Sequence, residues 1–284
     1  MAPDARPVEP PRRPVLFVNP RSGGGKAERA ALATEARSRG IEVVLLGAGD
    51  SLTALARAAA ADGADAFGMA GGDGSLAVVA TVAIAHELPF VCVPAGTRNH
   101  FALDLGVDRH DIVGSLDAFG NAFERRIDVG EVNGRVFLNN VSLGIYGDAV
   151  RQSGYREAKA RTLLQTAAEV LGPSGAASDL QLTDDGGRGY RDPAVVLVSN
   201  NPYALDRPFF TGRRLTLESG RLGIVVLERP RADEPPGRAW TATSVEVAAP
   251  AAVDAGIDGE AVELTPPLRF GARPGALRVR VARA

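Results

Sequence analysis

The feature that most constrains the fold is an alternation of short apolar runs with longer alanine-rich segments from Pro14 to about Asp117. Apolar runs at 15–19, 42–46, 66–70 and 90–93 predict strands, and the segments at 27–39, 51–61 and 75–87 predict helices. Strands that alternate with helices form β/α units with a parallel or mostly parallel sheet. We therefore predict an α/β N-terminal domain over residues 14–127. Ligands of such sheets bind beyond the carboxyl ends of the strands, so the loops there are candidate sites.

A different pattern begins after Ile127. Turn residues separate short β-like runs at 126–131, 135–140, 194–199, 222–228 and 244–248, which predicts an antiparallel β C-terminal domain over residues 128–267. A segment with helical spacing, 155–171, interrupts these runs, and it either packs on the core or docks on a membrane surface. At 284 residues the chain is long enough for two domains with a cleft between them.

Composition narrows the class of function. The 32 basic and 34 acidic residues give a net charge of -2, so nucleic acid is not an expected partner. The longest apolar run, 77–85, is far shorter than the roughly 20 residues that cross a bilayer, so any membrane contact is expected to be peripheral. Residues 1–13 are rich in proline and arginine and have no apolar core, which predicts a disordered tail and not a signal peptide.

Three loops at the predicted strand ends carry residue types that bind phosphate. They contain Asn19, Pro20, Arg21, Ser22 and Gly23; then Gly71, Gly72, Asp73, Gly74 and Ser75; then Gly96, Thr97 and Asn99. Glycines allow backbone N–H groups to approach an anion, and the start of a helix adds a partial positive charge. An acidic Asp73 beside a phosphate requires a cation between them, which suggests Mg²⁺ bound directly or through water. One such loop is often only a turn, whereas three on successive strands indicate one site.

Other kinds of site fit the sequence less well. The first loop is not a Walker A motif, because Ala27 replaces the Ser or Thr that follows the lysine, Lys26. The second loop imitates a dinucleotide fingerprint, but the next strand ends without the acidic residue that binds a ribose. The three histidines have no zinc-site spacing, and the sequence has no Gly-x-Ser-x-Gly elbow of a hydrolase. A phosphate-binding role remains the best interpretation.

The order of motifs resembles the catalytic domain shared by diacylglycerol kinases, sphingosine kinases and bacterial lipid kinases. The matching segments are Asn-Pro-x-Ser-Gly at 19–23, Gly-Gly-Asp-Gly-Ser at 71–75 and Pro-x-Gly-Thr-x-Asn-x-Phe-Ala at 94–102. Weaker likeness continues at 127–130, 137–144 and 257–260, so the resemblance covers nearly the whole chain from Pro14.

The resemblance implies a fold, two cofactors and a set of site residues. It implies an N-terminal α/β domain, a C-terminal antiparallel β-sandwich-like domain and a nucleotide site in the cleft between them, with residues 268–284 returning to the first domain. ATP and Mg²⁺ would be the cofactors, with Asp73 organising the metal and Asp258 accepting the proton of a lipid hydroxyl. From the residues alone, Asp258-Gly259 is more simply a hairpin turn.

Two residues depart from the family pattern. His100 stands where relatives commonly carry an aspartate of a polar network that includes the residues matching Asp73 and Asp128. Ser219 replaces an aspartate that binds a structural Mg²⁺ in bacterial relatives. That second metal would have only the carbonyl oxygens of Leu222 and Ile224, and we do not expect it to be bound.

We therefore predict an ATP-dependent kinase of a diacylglycerol-like lipid that is cytoplasmic and reversibly membrane-associated. Two alternatives remain open: a kinase of a soluble acceptor such as NAD, and a non-catalytic module that binds nucleotide or senses membranes. The sequence leaves open which lipid is the substrate and whether the chain forms a homodimer.

Overall fold

The computed structural model describes residues 5–144, 179–204, 213–227 and 237–283. These residues divide between two compact units, Met1–Ile127 with Gly275–Ala284, and Asp128–Pro274. The predicted helix at 155–171 lies outside the described residues. Among the described residues, no helix combines the length and the apolar character that are needed to cross a membrane.

The first unit is an α/β domain. Its strands are β1 (Arg6–Val8), β2 (Pro14–Val18), β3 (Glu42–Leu45), β4 (Ala66–Ala70) and β5 (Phe90–Val93), and its helices are α1 (Lys26–Arg29), α2 (Leu32–Ser38), α3 (Leu52–Ala61), α4 (Asp73–Ala85) and α5 (His100–Leu105). The strands pair in parallel in the order β3-β2-β4-β5. Every residue of β2, β4 and β5 is buried, as expected for parallel strands covered on both faces. The predicted α/β domain and its parallel sheet are confirmed.

The predicted single helix at 27–39 is instead two helices, α1 and α2, because Ala31 adopts a left-handed conformation with φ of 48°. Ala27 and Leu32 are both buried, although five residues of a continuous helix turn through about 140°, onto a different face. The break at Ala31 brings both side chains to the core. Repeated alanines give no signal for such a break.

The N-terminal tail contains ordered structure. Residues Arg6–Val8 form β1, which pairs antiparallel with the start of β6 (Ala122–Val132), although residues 1–13 were predicted to be disordered. Arg6 donates a hydrogen bond to the buried carboxylate of Glu124 at 2.8 Å. The strand is therefore held by backbone pairing and by an ion pair to a residue more than a hundred positions away.

Over the described residues, the second unit contains a six-stranded antiparallel sheet and the antiparallel part of an 11-stranded sheet. The six-stranded sheet has the order β13-β12-β11-β8-β15-β16. Strands β10-β9-β14 and the start of β17 form the antiparallel part, and the end of β17 continues that sheet to β5. Their bounds are β7 (Arg135–Phe137), β8 (Asn140–Gly144), β9 (Gln181–Asp184), β10 (Gly189–Arg191), β11 (Val195–Asn200), β12 (Leu222–Leu227), β13 (Gly237–Ala242), β14 (Ser244–Ala248), β15 (Val253–Ile257), β16 (Glu260–Leu264) and β17 (Leu268–Ala282). Side chains of both sheets, such as Ile224 and Phe270, share one core. The predicted antiparallel C-terminal domain is confirmed.

Strand β17 belongs to both units. Near its start Leu268 and Phe270 pair with β14, and near its end Val279 and Arg280 pair in parallel with β5. The two units divide within this strand, at Gly275. The return of residues 268–284 to the first domain stays a prediction. The predicted position of a nucleotide in a cleft between the domains stays a prediction.

Candidate functional site

The three predicted loops lie at the carboxyl ends of β2, β4 and β5, which are neighbours in the sheet of the first unit. The backbone N–H of Asn19, after β2, donates to the carbonyl of Ala70 at the end of β4 at 2.9 Å. Parallel strands place these ends at one edge, so the three loops come together as predicted from the sequence.

Two glycines make this convergence sterically feasible. Gly23 has a φ of 56°, and a Cβ atom there would overlap with the carbonyl oxygen of Ala95. A Cβ atom on Gly96 would lie 2.5 Å from the Cα of Gly72 and 3.0 Å from the carbonyl oxygen of Gly71. The first loop thus packs on the third, and the third packs on the second, with backbone in direct contact. Only glycine fits at Gly23 and Gly96.

The first loop folds mainly on itself. The Asn19 side chain accepts the backbone N–H of Arg21 at 3.1 Å, and a short 3-10 turn covers Ser22–Gly24. Arg21 is exposed, whereas Pro20 and Ser22 are half-buried. The loop therefore presents mostly backbone and short polar groups at the sheet edge.

The second loop forms the start of α4, a buried apolar helix of 13 residues. Gly72 precedes the helix in an extended conformation, and no side chain caps it. The first N–H groups of a helix have no partner within the helix, and they carry partial positive charge. Gly74 and Ser75, both half-buried, contribute such groups at the same sheet edge.

Asp73 connects the second loop to the third. Its two carboxylate oxygens accept the backbone N–H groups of His100 at 3.2 Å and Phe101 at 3.3 Å, at the start of α5. The visible role of Asp73 is therefore to position that helix. His100 contacts Asp73 through its backbone N–H. This hydrogen bond does not involve the side chain, so it can form whether the residue is histidine or the aspartate expected from the family pattern.

Asn99 holds the third loop in shape from inside. Its side chain is buried, with 2% exposed, and its amide oxygen accepts the N–H of Gly96 at 2.9 Å. The amide nitrogen donates to the carbonyls of Pro94 at 3.2 Å and Gly96 at 2.8 Å. Asn99 has a φ of 53°, a left-handed conformation that asparagine tolerates better than most residues. Thr97 is exposed, so the two predicted nucleotide contacts of this loop lie in different environments.

Lys26 takes a role that the sequence did not predict. Its ammonium group donates to the carbonyl of Pro94 at 2.9 Å, and also to the carbonyl of Arg109. Burial lowers the pKa of Lys26, and the nearby charge of Arg109 lowers it further. The lysine therefore ties the first loop to the third. Sequence analysis placed Lys26 after three glycines and assigned it no contact.

Asp258 lies in the second unit, in the turn between β15 and β16. Asp258 and Gly259 have φ values of 48° and 86°, the left-handed pair of a two-residue hairpin turn. Its carboxylate accepts three backbone N–H groups: those of Leu138 at 2.9 Å, Asn139 at 2.8 Å and Asn140 at 3.2 Å. Asp258 is thus both a turn residue and the anchor of the segment that leads into β8.

A buried polar network surrounds that segment. Asp128 accepts the backbone N–H of Gly220 at 2.7 Å, and its carbonyl accepts the side chain of Asn200 at 2.9 Å. The Ser219 hydroxyl donates to the side-chain oxygen of Asn201 at 2.5 Å. These bonds connect the 217–221 turn to Asp128 and Asn201.

Little at this turn supports a structural Mg²⁺. Leu222 and Ile224 lie in β12, which pairs with β11 on one side and β13 on the other, so the sheet engages their backbone groups. Over the described residues, no group of three or more His, Cys, Asp or Glu side chains could hold a metal ion. Ser219 contributes a hydroxyl group to this turn, and the nearby carboxylate is that of Asp128, which accepts the N–H of Gly220. The absence of the structural Mg²⁺ stays a prediction.

Arg214 is a second residue that sequence reasoning missed. Its side chain is buried, and it donates to the carbonyls of Leu138 at 2.6 Å and Asn200 at 2.8 Å, and to the side-chain oxygen of Asn139 at 2.9 Å. No motif marks it, because an arginine in an arginine-rich chain gives no sign of burial.

The comparisons with known proteins agree with this geometry. Residues 13–132 match the family model of the diacylglycerol kinase catalytic domain. A protein of Pseudomonas aeruginosa named "Probable lipid kinase YegS-like" is 30% identical over 301 aligned positions, which cover 94% of this chain and 93% of that protein. The chain belongs to the diacylglycerol kinase catalytic-domain family. The family predicted from the three loop motifs is confirmed.

Other relatives in the diacylglycerol kinase family match over shorter segments. A diacylglycerol kinase of Mycobacterium tuberculosis is 35% identical over 120 residues, which are 41% of this chain and 39% of that protein. One of Bacillus subtilis is 42% identical over 94 residues, 32% of this chain and 31% of that protein. The chain thus matches less than half the length of either relative. A crystal structure of a diacylglycerol kinase from Bacillus anthracis shares the fold, with a TM-score of 0.67 at 18% identity, covering 96% of this chain and 97% of that one.

Proposed function

We propose that the protein is an ATP-dependent kinase that phosphorylates a hydroxyl group of a diacylglycerol-like lipid. One observation carries the proposal: three loops converge at the ends of β2, β4 and β5, and their backbones touch where Gly23 and Gly96 exclude any side chain. Phosphoryl transfer depends on positioning and charge neutralisation more than on covalent chemistry, and the first N–H groups of α4, which lie at this edge without a side-chain cap, can supply both.

In this proposal the phosphates of ATP bind the N–H groups at the start of α4 and the loop at 19–23. Asn99, Lys26 and Asp73 hold the loops in place through the bonds described above. Thr97, exposed on the third loop, contacts the nucleotide directly.

The Asp73 carboxylate fits Mg²⁺ that arrives with the nucleotide. Such Mg²⁺ commonly takes one or two protein carboxylates together with phosphate oxygens and water. Each oxygen of Asp73 accepts one backbone N–H, which leaves lone pairs for a water-mediated contact. The ion would neutralise phosphate charge when it is bound.

Asp258 is the proposed general base. The lipid hydroxyl oxygen forms a bond to the γ-phosphorus, its proton passes to the Asp258 carboxylate, and ADP leaves with the electrons of the broken bond. Three backbone N–H donors fix the orientation of this carboxylate. A general base needs such a fixed orientation because it must lie within hydrogen-bonding distance of the substrate hydroxyl. A lipid acceptor implies reversible contact with a membrane surface, and we retain the cytoplasm as the proposed location.

The test is to incubate the purified protein with γ-labelled ATP, Mg²⁺ and a total lipid extract, and to separate lipid from aqueous products. The proposal predicts label in an organic-soluble phospholipid and its loss when Mg²⁺ is chelated. Label in a soluble product such as NADP would support the soluble-acceptor alternative. ATP binding without any transfer would support the non-catalytic alternative, and either result would overturn the proposal.

A further inference from the structure

The segment that precedes β8 is held between two buried or half-buried charged side chains of the second unit. Asp258 accepts the N–H groups of Leu138, Asn139 and Asn140 from one side. Arg214 donates to the carbonyl of Leu138 and to the side-chain oxygen of Asn139 from another. The backbone and side chain of this segment thus connect a carboxylate to a guanidinium.

One peptide group makes this connection directly. The peptide between Leu138 and Asn139 has its carbonyl oxygen bonded to Arg214 at 2.6 Å and its N–H bonded to Asp258 at 2.8 Å. A positive donor on the carbonyl polarises the peptide, which strengthens the bond that its N–H makes to an anion. The Leu138 carbonyl also accepts the side-chain amide of Asn200 at 3.2 Å, a longer bond than the one from Arg214. Together these bonds restrict rotation of the peptide, so the Asp258 carboxylate has a fixed partner.

Arg214 is buried, so its guanidinium group needs hydrogen-bond partners inside the protein. The residue is 6% exposed, although its neighbour Leu215 is 80% exposed. A buried guanidinium is costly unless its donors are satisfied, and here the donors bond to two carbonyls and one amide oxygen. Lysine cannot reproduce this pattern, because it lacks the planar fork of donors.

We propose that Arg214 is a positioning residue for Asp258, acting through the Leu138–Asn139 peptide. This inference rests on the proposed function, in which Asp258 accepts the proton of the lipid hydroxyl. Loss of the guanidinium fork leaves the Leu138 carbonyl with only the longer bond from Asn200 and loosens the peptide. The carboxylate then meets the hydroxyl less often in a productive orientation. The turnover number falls while the binding of ATP, assigned to the loops of the first unit, is unchanged.

A double-mutant cycle separates this role from a general loss of structure. The variants are Arg214→Lys, Asp258→Asn and the combination, and the assay measures kcat and the KM for ATP with diacylglycerol in mixed micelles. We expect Arg214→Lys to lower kcat by about 10- to 100-fold, in line with the effect of a small misplacement of a catalytic group, with the KM for ATP within about twofold. In the Asp258→Asn background the same substitution should have almost no further effect, because its target is already lost.

Three outcomes are decisive. Equal losses in both backgrounds would show that Arg214 acts independently of Asp258 and would overturn the inference. A normal kcat for Arg214→Lys, with Asp258→Asn strongly impaired, would overturn it while leaving the proposed function intact. Full turnover of Asp258→Asn would instead overturn the base assignment of the proposed function.

Two further variants serve as a control and as a substitute for Arg214→Lys. Arg269→Lys alters an exposed arginine of the same unit, paired at the surface with Glu246, and should leave kcat unchanged. If Arg214→Lys does not fold, Asn139→Ala removes one of the three Arg214 contacts and keeps the charge. The same cycle with Asn139→Ala should show a smaller loss of kcat that again disappears in the Asp258→Asn background, and additive losses would overturn the inference.

Discussion

Gly96 packs directly against Gly72, so that a methyl group on Gly96 would lie 2.5 Å from the Cα atom of Gly72. The same methyl group would meet the side-chain oxygen of Asn99 at 2.9 Å, an atom that holds the loop in place. Neither the Cα atom of Gly72 nor the side chain of Asn99 can move away without a shift of the loop that contains it. The distance between the second and third loops is therefore set by the absence of a side chain.

Gly96→Ala should push these two loops apart. Overpacking of a tight contact costs about 1–3 kcal/mol, and because the strain lies in the proposed phosphate site we expect ATP affinity to fall about tenfold or more. Calorimetric titration of ATP into the variant measures this. Gly271→Ala is the matched control, because a Cβ atom there meets nothing within 4 Å, and it should bind ATP normally. Equal ATP affinity in both variants would show that the nucleotide does not use this contact.

Asn99→Ala should weaken ATP binding through the shape of the third loop. The change removes three hydrogen bonds to the backbone and places alanine at a φ of 53°, so we expect about 2 kcal/mol of lost stability. Asn133 is a close control in the second unit: its φ is 47°, and its side chain also makes three bonds to backbone groups. Urea unfolding should detect a loss in both variants, but only Asn99→Ala should lower ATP affinity. If Asn133→Ala lowers ATP affinity equally, the effect is not local to the loop.

Asp258→Asn should lower turnover by about 10²-fold or more, the usual size of a general-base contribution. Asparagine accepts the left-handed φ of 48° at this position, so the hairpin turn should be retained. The measurements are kcat and the KM for ATP, with a thermal unfolding curve of each protein. An unchanged kcat in a folded variant would contradict the assignment of Asp258 as the base.

The buried ion pairs of Glu124 should make the stability of the first unit depend on acid pH. Glu124 is 3% exposed, and its carboxylate bonds to Arg278 at 3.0 and 3.1 Å and to Arg6 at 2.8 Å. Burial by itself would raise the pKa of Glu124, but the hydrogen bonds and charges of Arg278 and Arg6 outweigh it and lower the pKa. A carboxylate with a lowered pKa stabilises the folded state at neutral pH, and this contribution is lost as the pH falls below about 4.5 through the folded-state pKa.

Glu124→Gln should therefore cost about 2 kcal/mol near pH 7, and the difference from the unmodified protein should shrink as the pH falls below about 4.5. Urea unfolding over that pH range measures it. Glu246→Gln, which breaks an exposed pair with Arg269, should change stability by less than about 1 kcal/mol at any pH. A difference for Glu124→Gln that stays constant down to pH 3 would argue against this account.

The parts of the fold that were predicted from sequence are those with a clear local pattern. Strands β4 and β5 agree with prediction to the residue, because a short buried run between polar loops has few other interpretations. The break at Ala31 and the strand at Arg6–Val8 were missed, because both depend on contacts that are distant in sequence. The position of the three loops at one edge followed from parallel pairing alone.

The roles of the site residues were harder to predict than their positions. The sequence identified Asp73 and Asn99 as candidate ligands, but the structure shows both bonded to the backbone of the third loop and of α5. An aspartate or asparagine that contacts a ligand cannot be distinguished, in a sequence, from one that bonds to the protein backbone. Arg214 could not be found at all, because its partners lie far from it along the chain, at 138–139 and 200.

Strand β17 has a consequence for biosynthesis. The partner that β5 requires, Val279 and Arg280, is translated almost two hundred residues after β5 itself. A nascent chain that has reached residue 274 therefore presents an unpaired β5 edge, which invites association with other chains. We expect the first unit to complete its folding only after Val279 and Arg280 have left the ribosome. Chains stalled at residue 274 should be more sensitive to protease within residues 14–127 than the full-length chain, and equal sensitivity would contradict this expectation.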